Sequence, residues 1–140
     1  MSVRFRLAPH MVFHHDLQLI VVRPRGVLTA KRIQKDIALV TAAENRSERP
    51  FNRFVDLSEV TDIRLDVDQV RRIAVRRADD YRDVLPVKSA YYVTTEKAAQ
   101  IAEMCAMLTH SSALQIEVFE EIAAAARWLG VSDADLEVNR

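Results

Sequence analysis

Phe51-Asn52-Arg53-Phe54-Val55-Asp56-Leu57-Ser58 is a largely apolar octapeptide that ends in an acid and a hydroxyl and leads, a few residues on, into an amphipathic helical pattern. A short run of this composition reads as a buried strand. The expectation is that it crosses the middle of a helix-covered sheet and surfaces at Ser58. In open α/β folds the carboxyl ends of the strands carry the working groups. Asp56, Ser58 and Thr61, with Asp66 and Asp68 where the next helix begins, therefore form a candidate rim.

Before the octapeptide, Val3 to Leu7 alternates apolar and basic residues, as a short edge strand does, and Leu17 to Val22 reads as a stronger strand closed by Pro24 and Gly26. Thr29 can cap a helix from Ala30 to about Glu44, with Ile33, Ile37 and Val40 on one face, and the polar Asn45 to Pro50 ends it. After the octapeptide, Asp66 to about Tyr81 reads as a helix whose inner side carries Val67, Val70, Ala74, Ala78 and Tyr81. Ser89 to Val93 is the next strand, after Pro86. Thr94 or Thr95 caps a third helix to about Leu108, Leu114 to Phe119 alternates as a strand, and Glu120 to Leu129 is a last helix stopped by Gly130. Strands alternating with helices predict a single α/β domain over residues 1–140: a mostly parallel five-stranded sheet, an antiparallel N-terminal strand pair and about four helices.

Composition narrows the function classes. Hydrophobic residues make up 49% of the 140 and charged residues 29%, which is ordinary globular composition. With 20 basic and 20 acidic side chains, the formal net charge is zero and offers no field for nucleic acid or an anionic membrane. No run approaches the roughly 18 apolar residues of a membrane span, and the N-terminus lacks the apolar stretch of a signal peptide. One cysteine, Cys105, excludes an internal disulfide and fits a reducing compartment, so a cytoplasmic location is the expectation. The two glycines, Gly26 and Gly130, build no phosphate loop, which disfavours nucleotide-dependent enzymes.

The order of elements, the Asp56-Leu57-Ser58 strand exit and the closing Val118-Phe119 with Ala125, Ala126, Trp128 and Leu129 resemble the SpoIIAA-like family. Its members are relatives of the STAS domains of anti-sigma-factor antagonists and sulphate transporters. The likeness runs over nearly the whole chain, on short motifs that are mostly core. It implies a small cytoplasmic module without catalytic machinery or cofactor, which binds a protein partner or, in some branches, a small ligand or lipid. In the antagonists a serine at the start of the helix after the central strand is phosphorylated, and a helix N-terminus is a sound place for a phosphate. Here Thr61 to Asp68 contains no serine, and Asp66 or Asp68 stands where the hydroxyl is expected. A carboxylate there caps the helix permanently, so the switch is absent or moved to Ser58 or Thr61.

On the third helix, Ala98, Ile101, Ala102, Cys105 and Leu108 form the inner stripe. The 100° helical step then turns Met104 and Met107 outward, a candidate surface for a partner or a homodimer. Cys105 reads as a packed hydrophobe rather than a nucleophile. His14-His15-Asp16, with His10 near, invites a metal site, but adjacent histidines on extended chain face opposite ways, and no metal ligand set is assigned. Arg71, Arg72, Arg76 and Arg77 read as a solvated face paired with Asp68 and Asp80. The leading expectation is a non-catalytic regulatory or protein-interaction module. The alternative is a carrier of a small apolar or lipid ligand held between helices and sheet.

Overall fold

The computed structural model describes residues 4–48, 50–81 and 86–138. Val3 and the connection through residues 82–85 lie outside them. Eight strands and four α-helices follow in the order β1 Arg4–Ala8, β2 Met11–His14, β3 Leu19–Val22, β4 Gly26–Thr29, α1 Ala30–Ser47, β5 Asn52–Asp56, β6 Val60–Arg64, α2 Val67–Asp80, β7 Val87–Tyr92, α3 Glu96–Thr109, β8 Leu114–Phe119 and α4 Ile122–Leu129, with a closing 3-10 turn at Asp133–Leu136.

The main sheet has six strands in the order β1-β2-β3-β5-β7-β8, and β4 pairs with β6 in a separate two-stranded parallel ribbon. The pairs β1–β2 and β2–β3 are antiparallel, whereas β3–β5, β5–β7 and β7–β8 are parallel. The octapeptide does run through the interior, as β5 between β3 and β7.

The mixed α/β class thus stands, with one strand more in the main sheet than the five expected. The extra strand, β2, escaped the sequence reading because the turn joining it to β3 is closed by Gln18 at φ 50°, not by glycine or asparagine. β4 and β6 were overlooked for another reason. Both are short segments beside loops, and parallel pairing across a helix leaves no local signature.

Helix ends follow local chemistry closely. Thr29 accepts from the Arg32 amide, Thr95 from the Ala98 amide, and Asp66 forms a reciprocal capping box with Gln69. Gly130 ends α4 at φ 75°, a left-handed position suited to glycine. α1 runs on to Ser47, past the predicted stop at Glu44, and ends at Glu48 in the left-handed conformation, its amide bonded back to the Asn45 and Glu44 carbonyls.

Strand alternation distributes the core between two faces. Val12, Val21, Phe54 and Ala90 face α4, where Ala125 and Ala126 lie against them with Leu136 and Val138 of the C-terminal turn. The opposite face meets α1, α2 and α3. Met11, Phe13, Ile20 and Val22 pack there under Val40 and Ala43 of α1, and Leu57 and Val93 pack with Ala98 and Ala102 of α3.

Candidate functional site

The rim is built as a structural corner. Asp56, at the end of β5, is buried; its Oδ1 accepts from the Ser58 amide at 2.9 Å and its Oδ2 lies 3.5 Å from Arg23 Nε. Asp66 is committed to its capping box, its Oδ1 accepting from the Gln69 amide at 2.7 Å. Asp68 is exposed in the first turn of α2, 3.9 Å from Arg71. Ser58 is half-buried in the turn after β5, and Thr61 stands exposed on β6. Next to it, Asp62 accepts a hydrogen bond from Lys97 Nζ at 3.0 Å, and that contact holds its carboxyl below the ordinary range. The strand β6 therefore intervenes between Ser58 and α2, so the five residues do not converge on one point.

A different place does converge. Between the sheet and α1, α2 and α3 lies a cavity of about 150 Å³. Its floor is Val55 of β5, Ser89 and Tyr91 of β7 and Ile116 of β8. Its walls are Ile33 and Ile37 of α1, Ile73 and Ala74 of α2, and Ile101, Ala102 and Cys105 of α3, and Leu28, Ile63 and Leu65 of the β4–β6 side complete it. The inner stripes expected for α1 and α3 do point this way, yet Ile33, Ile37, Ile101 and Cys105 remain only half-buried. A second, polar groove between α1 and α2 shares Ile37, Ile73 and Arg77 with the cavity, which places its mouth on that side.

One end of the cavity is cationic. Arg53, on the central strand, is 5% exposed, and Arg77 of α2 is 8% exposed. Burying two guanidinium groups side by side requires compensation. Glu44 of α1 supplies it: its Oε2 accepts from Arg53 Nη2 at 3.1 Å and from the Phe51 amide at 2.8 Å. Tyr81 completes the cluster. Its hydroxyl donates to Glu44 Oε1 and accepts from Arg53 Nη2 at 2.6 Å and Arg77 Nη2 at 3.3 Å. Both arginines also stack over the Tyr81 ring, at 5.1 Å for Arg53 and 4.9 Å for Arg77.

The compensation is incomplete. Among the described residues Arg53 Nε and Arg77 Nη1 are buried without a hydrogen bond, and Ser89 Oγ, beside Arg53 in the β5–β7 register, makes no well-formed one. A second carboxylate, Asp80, lies 4.0 Å from Arg77 Nη1 and is itself part-exposed, while Asp36, also on the cavity lining, pairs with His10. Burial, and next the Arg53 charge, lower the pKa of Arg77 from its ordinary value. A guanidinium nevertheless stays protonated.

Arg77 corrects the sequence reading, which placed it with Arg76 on a solvated face. Val70, Ala74, Arg77 and Tyr81 fall at helical spacing on one side of α2, and that side packs inward. Val67, expected on that stripe, is 56% exposed because it opens the helix beyond the edge of the core. The pattern of charge had outweighed the pattern of position. Arg53 was overlooked in the same way: a cation inside an apolar central strand is the signal that could have found it.

The remaining candidates separate. Burial pushes the Cys105 thiol up to about 11, which disfavours its thiolate form. Burial likewise raises the Tyr91 phenol. His14 is buried on β2 and His15 is exposed, while His10 Nε2 lies 2.8 Å from Asp36 of α1. Among the described residues no three His, Cys, Asp or Glu side chains gather as a metal site. Met107 is 71% exposed and Met104 half-buried. No helix is long and apolar enough to cross a membrane, among the described residues.

No family model and no curated protein matches the chain. Among solved structures it is similar to an uncharacterised protein of the DUF3478 family with a SpoIIAA-like fold, from Shewanella loihica PV-4. The TM-score is 0.52 and the identity 12%, over 92% of this chain and 92% of that one. The fold of this chain is accordingly SpoIIAA-like, as its order of elements implied.

Proposed function

We propose that this protein is a non-catalytic binding module whose working element is the cavity between the sheet and α1, α2 and α3, in which a small ligand with an apolar body is held. One observation carries the reading. Protein interiors are packed to crystal density with few voids larger than a water molecule, yet here about 150 Å³ stays open where three helices and three strands of the sheet meet. An apolar space of that size accepts a benzene-sized guest. The raised Cys105 thiol and the carboxylates tied into turns and caps favour binding over chemistry.

Native mass spectrometry of gently purified protein, with titration by hexanol and by hexanoate followed as thermal stabilisation, tests the reading. The expected result is a retained mass or a saturable stabilisation by at least one probe, lost in Cys105→Phe, which fills the space. Absence of a retained mass and of any response to both probes would remove the proposal.

A second reading, a protein-interaction module, has its own observation. Met107 of α3 and Val75 of α2 are exposed apolar side chains on two helices that pack against each other. Such a surface suits a protein partner or a second copy of the chain. Sedimentation of the protein and of Met107→Asp would show a concentration-dependent dimer lost on substitution. A monomer at all concentrations leaves the homodimer without support.

A further inference from the structure

We propose that the ligand is a small monoanion, a carboxylate on an apolar body about the size of a benzene ring, with its head on Arg77 and Arg53 and its body over Val55 and Ile101. The inference rests on the cavity being the binding site and adds the chemistry of what enters it.

The charge count points to an anion. Inside the cluster the buried guanidinium groups of Arg53 and Arg77 face one half-buried carboxylate, Glu44, which bonds Arg53; Asp36, the other carboxylate lining the cavity, is engaged 2.8 Å from His10, and among the described residues no hydrogen bond pairs Arg77 with a carboxylate. Asp80 lies at the solvent edge, 4.0 Å from Arg77 and making no hydrogen bond to Nη1. An uncompensated buried charge is strongly unfavourable, and a monoanion removes the imbalance where a dianion would invert it. The donors fit as well. Arg77 Nη1 and Arg53 Nε are N–H groups without acceptors, and Ser89 Oγ adds a hydroxyl whose neighbour is the Tyr91 phenol, all on residues that line the cavity. A carboxylate accepts from such a set through both oxygens.

Size and route follow from the same geometry. The volume of about 150 Å³ holds a ring or a short chain and excludes a long acyl chain unless the helices part. Arg77 lines both the cavity and the groove between α1 and α2. The groove walls carry Arg72, Arg76 and Asp80, and an entering anion passes the two arginines before it reaches Arg77, where groove and cavity join. Charge thus serves both to draw the ligand in and to orient it head toward the arginines.

Calorimetric titration of the full chain with phenylacetate, phenylethanol, phenylethylammonium, phenyl phosphate and palmitate separates the claims. Phenylacetate is expected to bind at least about tenfold tighter than phenylethanol, as a charge-assisted hydrogen bond implies, and phenylethylammonium not to bind. Arg77→Met, which exchanges the cation for an apolar chain of similar length, is expected to bring acid and alcohol to within about threefold while alcohol binding persists.

Equal affinity for acid and alcohol in the unmodified protein overturns the anion assignment, with or without a folded Arg77→Met variant. Preference for phenyl phosphate or palmitate overturns the assignment of a small monoanion. Binding of phenylethanol without selectivity leaves the cavity reading standing and this inference overturned. Failure of every compound overturns both.

Discussion

On one face of the sheet, Ala125 and Ala126 of α4 lie fully buried against Phe54 and Ala90. On the other, α1, α2 and α3 present Ile33, Ile37, Ile73 and Ile101 toward Val55 and Ile116, and about 150 Å³ stays open among them. The contrast lies in side-chain size and in charge. Alanines give α4 a small apolar face, and the eight-residue helix covers that side of the sheet together with Leu136 and Val138 of the C-terminal turn. On the open face the branched side chains of α1, α2 and α3 border the space, and the buried Arg53 and Arg77 need acceptors rather than apolar neighbours.

The comparison is most directly broken by paired truncations. Phe54→Ala, on the closed face, is expected to lower stability by about 3–5 kcal/mol in denaturant unfolding, whereas Ile101→Ala, which borders existing space, stays below about 2 kcal/mol. Equal losses would mean that the two faces are packed alike. Next comes the polar end of the open face. Glu44→Ala strands two buried cations and is expected to cost about 3 kcal/mol, while Arg77→Met costs much less; thermal melts of both variants check the order.

The closed face has a polar irregularity of its own. His14, buried on the α4 side near the C-terminal turn, makes no well-formed hydrogen bond, and burial followed by the Arg4 charge depresses its pKa, with Asp135 and Asp16 opposing. Because the unfolded chain takes up this proton more readily than the folded one, stability should fall as pH drops below about 6.5. Chemical unfolding at pH 7 and pH 5 should show a smaller acid loss in His14→Phe than in the parent protein. An identical loss in both would assign the acid sensitivity to other groups.

The smallest effects sharpen the contrast. Asp66→Ala should remove about 1 kcal/mol through loss of its capping box. Cys105→Leu, which adds atoms to the open space, should be neutral or stabilising by up to about 1 kcal/mol, a result that overpacking on a closed face does not give. Melting temperatures of the two variants measure both.

Local patterns carried the fold a long way. The interior position of residues 51–58, the caps at Thr29, Asp66 and Thr95, and the stop at Gly130 were legible because each depends on neighbours within a few residues. The strand at Met11–His14 was not, since Gln18 closes its turn in a conformation that the sequence does not announce. The candidate site was legible only in outline. Ligand binding between helices and sheet was an open alternative, but Arg53 and Arg77 were passed over: one sat inside an apolar strand and the other inside a charge-rich helix.

What the amino-acid order determined by itself is therefore the succession of elements and the faces they turn inward, because hydrophobic periodicity and capping act over one or two turns of chain. Only tertiary structure decided where those faces fail to meet. The cavity is set by the spacing of three helices over the sheet, and the buried cation excess by Glu44, Arg53, Arg77 and Tyr81 arriving from separate elements. Neither is a property of any single segment, since distances between elements are fixed by the packing of all of them at once.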